Sequence, residues 1–331
     1  MANTVNYAEK WQPELLETMR QNTLCEPFIA TNVKWMGAKT FHFTSMSTSG
    51  FKNHSRNGGW NRGSFTQADH EYTVKHDRDI EFLVDKADVD ESNETASIQN
   101  IAKTFTMNQS GPEKDALFFS KVAATAKALE GYHTETAAST ITKDNVYSYL
   151  KKCMASGKLR RYKAQGGLIG YVTSAIMDAL EQAPDFTRNI DVIRVADGGE
   201  GIETRITSID GVTIMEVIDD ETFYDDFNFE PENGGFEPNE GVAHKINTLF
   251  ATPLTTKLVP TISSIYYFNP GAHTEGDGYL YQEREFSDVF TFPNGKDGKV
   301  DSVFVDTDTA TVSAMSTMSE NGEGAEEEES T

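Results

Sequence analysis

The clearest pattern along the chain is Asp79-Ile80-Glu81-Phe82-Leu83-Val84-Asp85, in which Ile80, Phe82 and Val84 alternate with acids. Side chains on a strand point to opposite faces in turn, so this alternation predicts a strand with one buried face. The run Asp88-Val89-Asp90-Glu91-Ser92-Asn93-Glu94 follows. Its side chains accept hydrogen bonds from free backbone N–H groups and place negative charge at the positive end of a helix dipole. A helix is predicted from Thr95, with Ile98, Ile101, Ala102 and Phe105 on one stripe, ending where Gly111-Pro112 breaks it. Pro112 suits a first helical position, so a second helix is predicted from there to Leu129, with Phe118, Val122, Thr125 and Leu129 on one face.

Upstream, residues 1–35 read as an arm, with a short helix opened by Pro13 and carrying Leu15, Leu16 and Met19. Phe41 and Phe43 then alternate with Thr40, His42 and Thr44, and Tyr72 and Val74 alternate with Thr73 and Lys75. Two strands are predicted, flanking a long loop from Ser45 to Gly63 whose tip is Asn57-Gly58-Gly59-Trp60-Asn61-Arg62-Gly63. A lone two-stranded ribbon is marginal in water, and so long a loop is uncommon inside a compact domain. The ribbon is therefore expected to lean on another subunit.

Downstream, Thr142 caps a third predicted helix carrying Val146, Tyr149, Leu150, Cys153 and Met154, and Gly157 stops it. Lys158-Leu159-Arg160-Arg161-Tyr162-Lys163 reads as a solvated basic helix end. Gly166 to Val172 leads into a helix capped by Thr173 or Ser174 that ends before Pro184. Ile190 to Val195 and Ile202 to Val217 are predicted strands, the latter turning at Asp210-Gly211. Asp219 to Glu240 reads as a solvated acidic loop. Leu249-Phe250, Ile262 to Phe268, Tyr279 to Phe286, Val289 to Phe292 and Ser302 to Val305 are predicted strands separated by turn signals. From Asp306 onward small and acidic residues dominate, and a disordered tail is expected.

Composition narrows the functions available. The formal net charge of −23 opposes a surface built to bind nucleic acid, since phosphates are repelled over most of the molecule. The charge is segregated. Lys34, Lys39, Lys52, Arg56, Arg62, Lys75 and Arg78 face three acids between Lys34 and Arg78, whereas Asp219 to Glu240 and Glu320 to Glu329 are acidic. Such segregation suggests like copies meeting basic against acidic, with two solvated surfaces of opposite sign as the plainer reading. Cys25 and Cys153 match no metal or redox spacing and read as buried thiols of a reduced compartment. No window is long and apolar enough to span a bilayer, so no membrane partner is expected.

Catalytic motifs are missing. No His-Glu-x-x-His, Gly-x-Ser-x-Gly or Cys-x-x-Cys occurs, the P-loop ending is absent, the dinucleotide glycine pattern fails in register, and the acidic loop does not fit a calcium loop. No catalytic residue, cofactor or metal is therefore expected. Catalytic groups assemble in space rather than in sequence, so a monomeric α+β enzyme or ligand-binding protein is the alternative reading.

Four stretches in fixed order carry a resemblance: Asp79 to Lys86 with Asp88-Val89-Asp90-Glu91; Pro112 to Ala116 with Phe119-Ser120-Lys121; Ile209-Asp210-Gly211-Val212; and Tyr281 to Phe290. Together they resemble the major capsid proteins of tailed bacteriophages with the Hong Kong 97 fold, over nearly all of the chain but its acidic tail. The resemblance implies an α+β fold with an N-terminal arm at 1–35, an extended loop at 36–78, and a peripheral domain at 79–138 and 245–310 that carries a long spine helix. An axial domain at 139–244 and a tail at 311–331 complete it. It implies a structural subunit that self-assembles into pentamers and hexamers of an icosahedral head enclosing double-stranded DNA without sequence-specific binding. It also implies a separate scaffolding protein or none, a portal as partner, assembly in the bacterial host cytoplasm and residence in the virion. Another phage structural subunit, of the tail, is a further alternative. Phe51, Lys52, Arg56, Trp60 and Arg62 are the candidate inter-subunit contacts. Some relatives cross-link a loop lysine to an asparagine, for which Lys52 or Lys75 with Asn269 or Asn294 are the candidates.

Overall fold

The structure, a computed structural model, describes residues 23–30, 40–54, 58, 60–86, 98–165, 167–184, 190–194, 203–218, 220–232, 234–274, 276–294 and 299–312. The expected helix at Pro13, the acidic run Asp88 to Glu94 and the tail beyond Val312 lie outside the described residues.

Strands β1 (Thr40–Thr48) and β2 (Phe65–Thr73) form an antiparallel ribbon in unbroken register, Thr40 opposite Thr73 and Thr48 opposite Phe65. The ribbon is longer than expected. Ser45 to Thr48 are strand rather than loop, because Ser45 Oγ meets His70 Nε2 at 3.0 Å and the alternation of Thr44, Met46 and Thr48 continues the pleat. Strand β3 (His76–Asp85) keeps the predicted alternation of inward Ile80, Phe82 and Val84 and adds His76 and Arg78 to the same face.

The predicted break at Gly111-Pro112 does not occur. Helix α1 (Ile98–Phe105) passes through a π-helical turn at Thr106–Ser110 into α2 (Gly111–Lys127), and Gly111 stays helical at φ −63° and ψ −56°. Proline lacks an N–H and its ring crowds the carbonyl one turn back. Widening the turn accommodates it, with Gly111 N–H donating to Thr106 O five residues away.

The remaining elements are β4 (His133–Glu135), α3 (Val146–Met154), α4 (Leu159–Ala164), β5 (Ile169–Thr173), α5 (Ser174–Glu181), β6 (Ile190–Arg194), β7 (Glu203–Ile209) and β8 (Val212–Val217). They are followed by β9 (Phe227–Asn228), β10 (Glu237–Pro238), β11 (His244–Ala251), β12 (Thr256–Phe268), β13 (Gly278–Thr291) and β14 (Phe304–Thr311). A mixed seven-stranded sheet has the order β4-β14-β11-β5-β8-β7-β6, and a three-stranded antiparallel sheet the order β12-β13-β3. The larger sheet draws strands from both sides of residue 244. At the turn between β7 and β8, Asp210 and Gly211 both have positive φ (53° and 78°), the backbone that a two-residue hairpin of matching twist requires.

The central strands β14, β11, β5 and β8 of the seven-stranded sheet are buried on both faces. Tyr171, Leu249 and Val305 point into a cluster with Phe118, Phe119 and Val122 of α2, while their neighbours Val172, Phe250 and Phe304 point into a second cluster with Leu150, Leu159 and Ile176 of α3, α4 and α5. Gly170 faces the second cluster, where an added Cβ would stand 2.4 Å from the Phe250 ring and 2.9 Å from Ile214. Only glycine fits there.

Three further expectations are corrected. Tyr279 to Phe286 and Val289 to Phe292 are one strand, because Ser287 and Asp288 pair with Pro260 and Val259 in β12. The Asp288 carboxylate is satisfied by the N–H groups of Lys75 (3.2 Å) and Val289 (2.9 Å) and by Lys121 (3.4 Å). Strand β14 continues to Thr311 where a tail was expected from Asp306, whose buried carboxylate accepts from Thr134, Thr136, Tyr149 and Asn247. The acidic stretch from Asp219 is not a solvated loop throughout. Phe223, Asp225 and Phe227 are buried, with Phe223 4.7 Å edge-on to Phe119 and Asp225 paired with Lys127.

Residues 24–30 strap the two sheets together. Asp115 accepts the N–H groups of Leu24 and Cys25, each at 3.0 Å, Tyr171 OH donates to Leu24 O at 2.7 Å, and Ala30 N–H donates to Leu258 O at 2.8 Å. Phe28 is fully buried, 4.6 Å from Phe118. Burial, reinforced by Asp115, pushes the Cys25 thiol up. Asp115→Ala leaves the buried Cys25 donor and the half-buried Leu24 donor without an acceptor and is expected to cost about 3 kcal/mol, read as a fall in the urea midpoint. Thiol labelling of Cys25 should speed up in parallel. An unchanged midpoint with Cys25 still protected means that Phe28 alone holds the strap.

Candidate functional site

The β1–β2 ribbon projects from the body, and its two ends differ in kind. At the base Phe41 is buried, stacked on Tyr72 at 5.5 Å and edge-on to Phe290 at 5.2 Å. Phe43 stacks on Phe292 at 4.8 Å. Phe41, Phe43 and Tyr72 share one face of the pleat, and Val74 continues into a cluster with Val259 and Phe286. The ribbon is thus bolted at its root to the end of β13.

At the tip nothing comparable exists among the described residues. Ser49 N–H donates to Ser64 O at 2.8 Å, Ser64 N–H to Ser49 Oγ at 2.9 Å, and Asn61 Nδ2 to Asn53 O at 2.8 Å, so the loop is held by its own polar groups. Phe51 is 111% exposed and Trp60 94% exposed. Among the described residues, the ring contact of Trp60 is with His54, 6.3 Å away. Lys52 Nζ reaches Arg62 O at 3.4 Å, and both side chains are exposed. Four of the five candidate contacts, Phe51, Lys52, Trp60 and Arg62, therefore sit together on the tip, and Arg56 lies outside the described residues. Met46 and Phe65, 66% and 71% exposed, were not singled out from sequence. The register places both on the face opposite Phe41. For Met46 the signal is the period of two running on through Thr44, Met46 and Thr48 inside the expected loop; Phe65 lies just beyond that loop, at the start of β2.

The basic island divides in three dimensions. Arg78 turns inward: its Nε meets Glu113 Oε1 at 2.8 Å, one terminal nitrogen donates to Gly235 O at 2.9 Å and the other to Phe229 O. His76 Nε2 meets the same Glu113 oxygen at 3.1 Å. Lys52 and Arg62 stay at the tip and exposed Lys75 marks the root, while Lys34 and Lys39 lie outside the described residues. Asn269 accepts the Ala272 N–H in the turn after β12, and Asn294 hydrogen-bonds Tyr162.

Between the π-helical turn and the three-stranded sheet lies a cavity of about 90 Å³ lined by Arg78, Ser110, Glu113, Lys114, Glu283 and Glu285. Lys114 pairs with Glu285 at 2.8 Å, and Tyr281 OH donates to Glu283 at 2.6 Å. Burial raises the Glu283 carboxyl above its ordinary range, and Glu285 adds to the effect. These charges are spent on one another. No group of three His, Cys, Asp or Glu among the described residues is placed to hold a metal ion.

No family model and no curated protein matches the chain. Solved structures do. The mature capsid of bacteriophage PhiM1 superposes with a TM-score of 0.54 at 12% identity, covering 88% of this chain and 86% of that one. The capsid of cyanophage P-SCSP1u gives 0.52 at 12% identity, with 86% of each chain covered. A chain from Mycobacterium phage Ogopogo gives 0.53 at 10% identity over 87% of this chain and 92% of that one. The mixed helices and sheets described above form the Hong Kong 97-type fold of tailed-phage capsid proteins.

Two measurements follow from the ribbon and the cavity. Phe41→Ala removes a buried anchor and should destabilise the free subunit by about 3–5 kcal/mol, whereas Trp60→Ala and Phe51→Ala should stay within about 0.5 kcal/mol of the parent. Equal losses from root and tip would show that the tip packs on its own body. For Glu283, the folded chain holds the proton more tightly than the unfolded one, so charging it costs stability. That cost is complete above the folded pKa and absent below the unfolded value near about 4.3. Glu283→Gln is neutral at every pH and should raise the melting temperature at about pH 8 but not at about pH 4. The same offset at both pH values would assign the effect to packing instead.

Proposed function

We propose that this chain is a major capsid subunit, which self-assembles into the pentamers and hexamers of an icosahedral phage head around double-stranded DNA. The observation that carries the reading is the ribbon: rigid at its root, polar within its loop, and bearing Phe51, Trp60, Met46 and Phe65 exposed at its far end. Large exposed aromatics clustered on one projection mark an interaction surface, and buried aromatic anchors commonly cost about 2 kcal/mol or more when truncated at an interface. On a neighbouring copy Trp60 and Phe51 would be buried while Lys52, Arg56 and Arg62 meet carboxylates. The capsid fold supports the same reading.

In this proposal residues 36–78 are the extended loop, 79–138 with 245–310 the peripheral domain and 139–244 the axial domain. A separate scaffolding protein and a portal are the expected partners. Assembly takes place in the host cytoplasm, and the product is the virion shell. DNA is enclosed rather than read, in keeping with a net charge of −23. The chain acts as a structural element and not as an enzyme.

Replacing residues 50–63 with a short Gly-Ser link should leave the circular dichroism and melting of the free subunit nearly unchanged while abolishing closed particles in negative-stain images. Normal particles from the shortened chain would remove the ribbon as a clamp between subunits. Failure to fold would place the loop in the core.

A further inference from the structure

The α3–α4 corner and the segment between β8 and β11 carry opposite charge, and they lie on opposite faces of one sheet. At the corner Lys151, Lys152, Lys158, Arg160, Arg161 and Lys163 fall within two short helices and their connection. Lys152, Lys158, Arg160 and Arg161 are exposed. The carboxylates that meet this group are Asp210, shared by Lys151 and Lys163, and Asp301, 3.5 Å from Arg161. Neither reaches Lys152, Lys158 or Arg160. Burial first, and then the nearby positive charges of Lys151 and Arg160, lower the Lys163 pKa.

Helices α3 and α4 pack on the face of the seven-stranded sheet that carries Val172, Phe250 and Phe304. Phe223 and Phe229 anchor the acidic segment to the other face, where Tyr171 and Leu249 meet α2. Glu230, Glu232, Glu237 and Glu240 are exposed along that segment. Asn228 donates to Glu237 at 3.2 Å, a neutral partner that leaves the charge in place. One slab of protein thus carries a basic corner on one side and an acidic segment on the other, in a chain whose net charge is −23.

We propose that the corner Lys152, Lys158, Arg160 and Arg161 of one copy docks on the exposed acids Glu230, Glu232, Glu237 and Glu240 of the next. The partner is a second copy of this chain. Patches on opposite faces cannot pair across a two-fold axis, where the same patch meets itself; they generate a head-to-tail contact that closes into a ring when the rotation permits. Complementary potentials also suppress wrong registers, because like charges brought together repel. This contact rests on the shell reading and differs from the ribbon in residues, in location and in salt response.

The test uses two charge-reversed full-length chains, Lys152→Glu with Arg160→Glu, and Glu232→Lys with Glu237→Lys. All four positions are exposed, so circular dichroism and melting should match the parent. Each variant alone should lose at least about tenfold in particle yield at low salt, because like charges then face each other at every contact. An equimolar mixture should form mixed rings with an even number of copies, since the reversed corner of one chain fits the reversed segment of the other and the parent charges pair at the remaining contact. A ring of five cannot alternate, so closed particles need not return. Analytical sedimentation of the mixture reads the contact apart from closure, as mixed oligomers absent from either variant alone. Full assembly by each variant alone, or a mixture that forms no mixed oligomers, overturns the contact even if the parent makes shells. Mixed oligomers that never close, from a parent that never closes either, uphold the contact and retire the shell reading.

Discussion

Helix α2 is the constraint on which the rest depends. It is buried along one side by the strap and the seven-stranded sheet, through Phe118 and Phe119, and it meets β13 of the smaller sheet on another. Fully burying a side chain of that size is worth about 1.5–3 kcal/mol, and several act at one seam. Once α2 is held, the acidic segment is held by Phe223 and Lys127, the strap by Asp115, and the smaller sheet by Lys114 and Lys121. The β1–β2 ribbon lies beyond the reach of α2, as do α3, α4 and α5 on the far face of the larger sheet. Its aromatic root bolts it to β13 and its tip has no fold of its own to serve.

What could be read from the residues was the apolar pattern. The alternation of Ile80, Phe82 and Val84, the stripes on α1 and α2, the hairpin at Asp210-Gly211 and the aromatic tip of the ribbon all follow from spacing and local backbone preference, and the structure keeps each of them. The polar residues were harder, because their meaning depends on partners far away in the chain. His76 and Arg78 are strand residues facing inward, since Glu113 of α2 waits for them. Asp288 interrupts an apolar strand without ending it, since Lys75 and Lys121 satisfy it. Asp306 looked like the start of an acidic tail and is instead the centre of a buried network with Thr134, Tyr149 and Asn247. A buried carboxylate is tolerated only when it is hydrogen-bonded or paired, and its partners are not visible in sequence.

The same limit explains the helix that was expected to break. Local rules say that proline ends a helix, and locally they are right about the missing donor. The extra residue in the π-helical turn re-pairs the backbone around Pro112 and lets one stripe continue from Ile98 to Ala126. Tertiary burial of both halves outweighs the cost of the wider turn. The turn also sets the Ser110 side of the charged cavity, so a local irregularity fixes where Glu283 is buried.

A strongly acidic chain that carries naked aromatic rings balances two tendencies. Net charge of one sign keeps free subunits apart over a distance of about 10 Å at 0.1 M salt, while the exposed rings favour association only once surfaces touch. The inward turn of Arg78 takes one positive charge out of the ribbon and leaves Lys52 and Arg62 beside Trp60 at the tip. In the proposed assembly, attraction at the ribbon is short-ranged and rests chiefly on exposed rings, whereas the charged patches lie on the two faces of the seven-stranded sheet. Contacts of the first kind strengthen with salt and those of the second weaken. A subunit that combines them gains affinity from its aromatic residues and orientation from its charges, and neither alone selects a closed arrangement.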